Sequence, residues 1–153
     1  GYFHPKSFED RTITLCVRGL IKWHQASGDE KVKKLIVELM RGYLNMAFGD
    51  EGVALAGSWP EHQKASTPSQ GFGDLESLAY AYELTGDRRF IDAGIPALSH
   101  AVDWIIHADE RSEGYLFQRI MRGPMPFMRI AHKMGLMQRL PSAGGWLVEG
   151  TMR

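Results

Sequence analysis

Two short Gly-Asp turns, 58 residues apart, divide much of the chain into paired segments with helical periodicity. The first is Ser27-Gly28-Asp29 and the second is Thr85-Gly86-Asp87. A glycine can adopt the left-handed conformation that ends a helix, and the aspartate can accept the backbone hydrogen bonds that start another. Each turn therefore predicts a tight connection between two antiparallel helices. The predicted fold class is all-α, with repeated antiparallel helical hairpins.

The segments beside these turns carry apolar residues at three- and four-residue spacing, which is typical of amphipathic helices. Their apolar stripes are Ile13, Cys16, Val17, Leu20 and Ile21; Val32, Leu35, Ile36, Leu39, Met40 and Tyr43; Leu75, Leu78, Ala79 and Tyr82; and Ile91, Ile95, Leu98, Val102 and Ile105. Leu15 and Trp23 add a second apolar face to the first helix. Phe127, Ile130, Ala131 and Met134, followed by Gly135, predict a further helix of the same kind. Repetition of this period indicates stacked pairs that bury one continuous core.

Three kinds of residue within these helices are interpreted as packing features. Cys16 is the only cysteine, so it cannot form an intramolecular disulfide, and we expect it to be a small buried hydrophobe. Pro96 removes a backbone donor and predicts a kink, or a helix that restarts after Gly94. Adaptable core filling is expected of the eight methionines, which include Met121, Met125, Met128, Met134 and Met137.

Composition limits the classes of partner. Eighteen basic side chains balance eighteen acidic ones, so no global positive field favours nucleic acid. No apolar run approaches the roughly 20 residues of a membrane span, which disfavours a membrane partner. We expect residues 1–153 to form a single helical-hairpin domain. The missing initiator methionine and the lack of an obvious closing element leave open that it is a fragment of a longer polypeptide.

The connections between the predicted helices differ greatly in length. The turn inside each hairpin is two to four residues long, whereas residues 47–74 and 107–123 form long links between hairpins. If every hairpin is antiparallel, residues 1–11 and the two long links gather at the same end of the helices. Long loops in a compact domain are usually functional or disordered, and Trp59, Phe72, Tyr115 and Phe117 argue against disorder. We therefore predict the functional site at this end.

The segment from Leu75 to Ala93 (LESLAYAYELTGDRRFIDA) resembles a hairpin of the six-hairpin, (α/α) toroid glycosidase superfamily. Leu20 to Val32 (LIKWHQASGDEKV) resembles it more loosely. The resemblance implies an inner helix, a Thr-Gly-Asp-like turn and an outer helix around a ring, with a cleft lined by the loops before the inner helices. Many members hydrolyse or eliminate glycosidic bonds. The motif is structural and transfers no catalytic residue.

A complete ring of that superfamily has twelve helices, and this chain offers about five. The resemblance therefore implies a partial (α/α) toroid, completed by the rest of a longer chain or by association into a homo-oligomer. A secreted or periplasmic location is suggested by the resemblance alone.

Trp59, Glu61 and His62 stand close together in the longest link. An indole face can stack on the apolar face of a sugar ring, and the carboxylate and imidazole can perform acid-base chemistry or bind hydroxyl groups. These two side chains are predicted as catalytic and the tryptophan as substrate-binding. The alternative is a loop anchor, in which the tryptophan packs on the core and its polar neighbours are solvated.

A second cluster lies where the third helix is predicted to begin. Gln70 and Glu76 are candidate substrate-binding residues, because glycines around Phe72 permit a ligand to approach closely. Asp74 is more simply explained as the helix N-cap, and Glu76 would also favour the positive helix end.

The third cluster precedes the first helix. Glu9 and Asp10 are catalytic candidates, while Tyr2, His4 and Arg11 are candidates for substrate binding. A histidine can transfer a proton, and an arginine can pair with the carboxylate of an acidic sugar. Arg122 adds positive charge before the fifth helix. The alternative is a capped helix start in which Arg11 pairs with a neighbouring carboxylate.

The six histidines show no close spacing typical of metal ligands, and the chain contains no Gly-rich phosphate loop or nucleophile elbow. We expect no metal and no cofactor. The sequence therefore favours a carbohydrate-processing protein, glycoside hydrolase-like or polysaccharide lyase-like, which binds an oligosaccharide or polysaccharide at the long-loop end. The alternative is a non-catalytic helical-repeat module that binds another protein.

Overall fold

The computed structural model of the chain describes residues 10–47, 74–107 and 123–137. Within these ranges all the regular secondary structure is helical, which confirms the all-α prediction. The helices are α1 (Asp10–Ser27), α2 (Glu30–Ala47), α3 (Asp74–Thr85), α4 (Arg89–His107) and α5 (Pro124–Lys133).

The two Gly-Asp turns have the predicted conformation and nearly the same hydrogen bonds. Gly28 and Gly86 have φ angles of +67° and +70°, and their amides donate to the carbonyls of His24 and Tyr82 over 2.8 and 2.7 Å. This is the left-handed cap that ends a helix. Glycine reaches it without the steric cost that a Cβ imposes.

The hydroxyl before each of these glycines completes the turn. Ser27 Oγ donates to the carbonyl of Trp23 and accepts from the amide of Asp29, and Thr85 Oγ1 does the same between Ala81 and Asp87. Each aspartate Oδ1 then accepts the amide two residues later, over 2.8 Å from Lys31 and 3.1 Å from Arg89. Both aspartates therefore cap the following helix.

We call α1, α3 and α5 the first helices, because each ends at a left-handed glycine. The third of these is Gly135, with φ of +70°. Its amide donates to His132, and the amide of Leu136 donates to Ala131, as in a Schellman motif. Counting back from the three glycines gives a common register. Eleven residues before them stand Val17, Leu75 and Pro124, all buried.

The helix α3 lies at the centre of the described structure. It contacts α1, α2, α4 and α5, while α1 also contacts α2, and α4 also contacts α5. Its buried residues cover most of its circumference, unlike those of the amphipathic α1 and α2. One core joins all five helices and contains Val17, Ile21, Ile36, Met40, Tyr43, Leu75, Leu78, Ala79, Ala81, Phe90, Ile91, Leu98, Phe127, Ile130, Ala131 and Leu136.

Several residues predicted on apolar stripes are exposed instead. The prediction that Cys16 is buried is wrong, because its side chain is exposed. Leu35 is also 43% exposed, at the border of the α2 stripe. Met40 is fully buried and Met128 is half-buried against the core, but Met125 is 65% exposed. Three- and four-residue spacing places residues on a face, but the neighbouring helices decide how wide the buried part of that face is.

Pro96 does not make α4 restart, because the helix is continuous from Arg89 to His107. Gly94 does not mark a break in the helix, but it makes room for a side chain of α5. A Cβ placed on it would clash with Cε2 of Phe127 and lie 3.3 Å from Cδ2 of Leu75. The aromatic ring of α5 therefore occupies the space that a side chain at residue 94 would fill.

Candidate functional site

The three first helices lie side by side and run in the same direction. Two contacts establish this for α1 and α3: Arg18 pairs with Glu76, and further along both helices His24 Nδ1 lies 2.8 Å from the hydroxyl oxygen of Tyr80. Because the contacts advance together along both helices, α1 and α3 are parallel.

The same argument applies to α3 and α5. A Cβ at Gly123, just before α5, would lie 3.5 Å from the amide nitrogen of Glu76. Near the other end of α3, Glu83 Oε1 lies 3.6 Å from Nη2 of Arg129. The starts of α3 and α5 are therefore at the same end of the array, and they follow the long connections 48–73 and 108–122. We call this end the long-connection end.

An ion pair between helices lies at this end. Arg18 Nε is 3.1 Å from Glu76 Oε2, and the two side chains are 22% and 23% exposed. Gly123 packs over the pair, since its Cβ position would lie 3.1 Å from Nη2 of Arg18 and 3.4 Å from Cβ of Glu76. Two helices and the residue before α5 thus meet at one guanidinium and one carboxylate that still reach solvent. Such a pair can donate hydrogen bonds to, and accept them from, a polar ligand.

Of the predicted site residues, Glu76 is described in full, and its carboxylate pairs with Arg18. Asp10 and Arg11 lie in the first turn of α1, but their side chains are outside the described residues. Asp74 is the first residue of α3. The other candidates lie outside the described residues and remain predictions: Tyr2, His4, Glu9, Trp59, Glu61, His62, Gln70 and Arg122.

Sequence reasoning missed Arg18 as a partner of Glu76. A signal was available, because both residues stand ten positions before the glycine that ends their helix. Opposite charges at the same position in two adjacent parallel helices are expected to pair. This shared distance from the glycine predicts a contact only once α1 and α3 are known to be neighbours.

Tyr80 and His24 form a second polar contact, nearer the turn end. Their rings meet edge to face, with centroids 6.0 Å apart. The pKa of the Tyr80 hydroxyl is raised above its ordinary value, first because partial burial disfavours the phenolate and second because Glu83 is nearby. The hydroxyl is therefore neutral at physiological pH, and it acts as a hydrogen-bonding group rather than a base.

Two classes of site receive no support from the part of the chain that the structure describes. Within it, no group of three or more histidine, cysteine, aspartate or glutamate side chains is placed to hold a metal ion. Nor is any of the described helices both long and apolar enough to cross a membrane.

Comparisons with models of protein families, with curated proteins and with solved structures found no match to this chain.

Proposed function

We propose that the protein processes carbohydrate, in a glycoside hydrolase-like or polysaccharide lyase-like manner, and binds an oligosaccharide at the long-connection end of a partial (α/α) toroid. The observation that carries the location is the convergence of Arg18, Glu76 and Gly123. It indicates that two long connections lead into the same end of three parallel helices.

The chemistry of the ion pair suits a polyhydroxylated ligand. A carboxylate accepts hydrogen bonds from sugar hydroxyls, and a guanidinium donates to hydroxyl or carboxylate oxygens. With about a fifth of each side chain exposed, the pair can form part of the floor of a binding site while still holding α1 against α3. The acid-base groups would come from the connections, with Glu61 and His62 as the first candidates and Glu9 and Asp10 as the second. Trp59 would be the stacking surface.

The location is tested by two glutamates on α3. Glu76→Gln changes the long-connection end, whereas Glu83→Gln changes an exposed carboxylate near the opposite end of the same helix. We expect the Glu76 variant to weaken oligosaccharide binding, measured by calorimetry against a panel of neutral and acidic oligosaccharides. The Glu83 variant should bind as the unaltered protein does. Equal binding by both variants would place the site elsewhere.

The chemistry is tested by Glu61→Gln and His62→Ala in the 153-residue chain. Both hydrolysis and elimination release a new reducing end, but only elimination also forms an unsaturated sugar that absorbs ultraviolet light. Loss of reducing-end release without such absorbance would therefore indicate hydrolysis, and loss of both signals would indicate elimination. Unchanged turnover in both variants would remove this loop from the mechanism. Circular dichroism of each variant distinguishes a chemical effect from loss of the helical fold.

A second candidate, a helical-repeat module that binds another protein, is favoured by a different observation. Leu15 and Trp23 on α1 are each 61% exposed, and large exposed aromatic and aliphatic side chains are typical anchors of protein interfaces. Leu15→Ala and Trp23→Ala separate the two functions. They should leave oligosaccharide binding unchanged if the site is at the long-connection end, and they should abolish partner binding if the apolar surface of α1 is the functional one.

A further inference from the structure

One side of α1 carries apolar residues that no described part of the chain covers. We call it the open strip and define it as Leu15, Cys16, Gly19 and Trp23. Leu15, Gly19 and Trp23 follow one another at four-residue spacing, so they lie on the same side of the helix. All four residues are exposed, Leu15 and Trp23 to 61% each.

The equivalent residues of the other two first helices are more buried, although Pro126 of α5, at the position of Gly19, is only half-buried. Five residues before the terminating glycine stand Trp23 in α1, Ala81 in α3 and Ile130 in α5, and the latter two are 0% and 7% exposed. Nine residues before it, Ser77 of α3 is also fully buried, where α1 has the exposed Gly19. The preceding hairpin accounts for this burial, because α3 contacts both α1 and α2, and α5 contacts both α3 and α4.

The opposite side is open at the other end of the array. Ten residues before the glycine, the Arg18 and Glu76 side chains are 22% and 23% exposed, but Met125 of α5 is 65% exposed as a residue. Seven residues before it, Ile21 and Ala79 are 1% and 0% exposed, but Met128 is half-buried. On this side of α1, Arg18 contacts Glu76 of the next first helix. We call Met125 and Met128 the methionine side.

Gly19 gives a second indication that a helix packs on the open strip. A Cβ there would meet nothing within 4 Å, so no contact among the described residues requires a glycine. Glycine inside a helix costs about 1 kcal/mol relative to alanine, which makes it an unfavourable choice for an exposed position. A small residue is useful where another helix approaches closely, and the equivalent buried residue of α3 is the small Ser77.

We infer that the open strip binds a second copy of this chain, head to tail, through the methionine side of that copy. The contact would repeat between molecules the contact that α1 makes with α3 inside one molecule. Flexible, polarizable methionines adapt well to an indole and a leucine side chain. Because the two surfaces differ, the interface is heterologous, and repeated association closes into a ring or extends as an open array. The inference does not depend on carbohydrate binding.

The competing arrangement is a symmetric pair in which two open strips face each other. In that pair each copy would contribute its open strip, and neither methionine side would lie in the interface. It would also bring the Cys16 side chains of both copies into the same interface. Head-to-tail packing instead places each Cys16 against α5 of the neighbour, so the two arrangements respond differently to substitution and cross-linking.

The test uses light scattering on the 153-residue protein over a range of concentrations. The unaltered chain should associate beyond its monomer mass of 17.2 kDa. The strip variant Leu15→Glu/Trp23→Glu and the methionine variant Met125→Glu should each stay monomeric. Leu35→Glu is the matched control, because Leu35 is also exposed but belongs to neither surface, and it should associate as the unaltered chain does. Circular dichroism should show the same helix content in all four proteins.

Mixing the two monomeric variants is the decisive step. The strip variant retains its methionine side and the methionine variant retains its open strip, so one intact interface remains, and the mixture should reach about twice the monomer mass. A short bismaleimide should not join Cys16 to Cys16 in the unaltered protein. The inference is overturned if the unaltered chain is monomeric at every concentration or if Met125→Glu still associates. It is also overturned if the mixture stays monomeric or if Cys16 of one molecule cross-links to Cys16 of another.

Discussion

The α1–α2 and α3–α4 hairpins have nearly the same turn but fill the core differently. At both turns a hydroxyl bridges the helix end and the aspartate, and the aspartate caps the next helix. Eight residues beyond the glycine, however, the first hairpin has Ile36, which is fully buried, and the second has Gly94. The turn repeats, whereas the packing eight residues later does not.

The smaller volume of Gly94 relative to Ile36 is matched by a larger side chain on the neighbouring first helix. Eight residues before the glycine, α3 carries Leu78 and α5 carries the larger Phe127, both buried. The larger Phe127 ring therefore packs beside Gly94, which has no side chain. The smaller Leu78 stands at the equivalent position on α3, which contacts the helix that carries Ile36. Interiors are close-packed, so volume must be conserved across a contact rather than at each position. The backbone conformation of the turn requires the same kinds of residue in both hairpins, whereas the core requires only that the total side-chain volume at the contact is conserved.

The largest expected effect comes from adding one carbon to this contact. Gly94→Ala would place a Cβ against the ring of Phe127, closer than packed atoms can approach. We expect a loss of about 1–3 kcal/mol in the free energy of unfolding, measured by urea denaturation, because overpacking forces side chains or backbone to move.

Two variants show whether the clash is the cause. In the Phe127→Leu background the same alanine should cost less, since the smaller side chain leaves room, and the double-variant cycle measures that coupling. Gly19→Ala is the control, because nothing lies within 4 Å of its Cβ position. At concentrations too low for association it should stabilise α1 by up to about 1 kcal/mol. If the two substitutions changed the free energy of unfolding additively, then residues 94 and 127 would not share one volume in the core.

The next effect tests whether the two turns are equivalent. Gly28 and Gly86 have φ of +67° and +70°, and neither Cβ position has a neighbour within 4 Å. Substitution by alanine therefore costs only backbone strain, about 1–2 kcal/mol. Gly28→Ala and Gly86→Ala should lower the free energy of unfolding by similar amounts. A clear difference between them would show that the turns are not interchangeable.

The turns could be predicted from the sequence because their causes are local. Positive φ at Gly28 and Gly86 and capping by Asp29 and Asp87 depend on residues within a single turn of helix, and all were expected. The glycine that ends the fifth helix, Gly135, was also expected from the apolar pattern before it.

What the sequence did not indicate depends on which helices are neighbours. Cys16 lies on an apolar stripe, but it is exposed because no described helix covers that side of α1. A restart of α4 after Gly94 was one of two outcomes expected from Pro96, and it does not occur, because the helix is continuous from Arg89 to His107. The Arg18–Glu76 pair needs the parallel arrangement of α1 and α3, which periodicity within either helix does not contain. Candidate residues in the connections remain predictions because they lie outside the described residues.

A smaller effect compares the two contacts that join adjacent first helices near their turn end. Tyr80→Phe removes the partly buried hydrogen bond with His24 and should cost about 0.5–1.5 kcal/mol. Glu83→Gln weakens the exposed contact with Arg129, which at 3.6 Å is expected to contribute about 0–1 kcal/mol. Urea denaturation of both variants gives the order. If Glu83→Gln costs more, then the α3–α5 contact, rather than the α1–α3 contact, holds the array together at this end.

The smallest effect separates the two caps by their response to acid. In the second turn Arg89 adds a guanidinium to Asp87, with Nη2 2.6 Å from Oδ2. The side-chain hydrogen bond from Arg89 is the main reason that the pKa of Asp87 is lowered. A carboxyl whose folded pKa is lowered stabilises the fold above its ordinary pKa, and this contribution is lost as the pH falls through the folded value. The difference in unfolding free energy between the unaltered chain and Asp87→Asn should therefore shrink below about pH 4. Arg89→Gln should narrow that acid-dependent difference, because it removes the main cause of the shift. A difference independent of pH would mean that Asp87 acts only as a neutral cap.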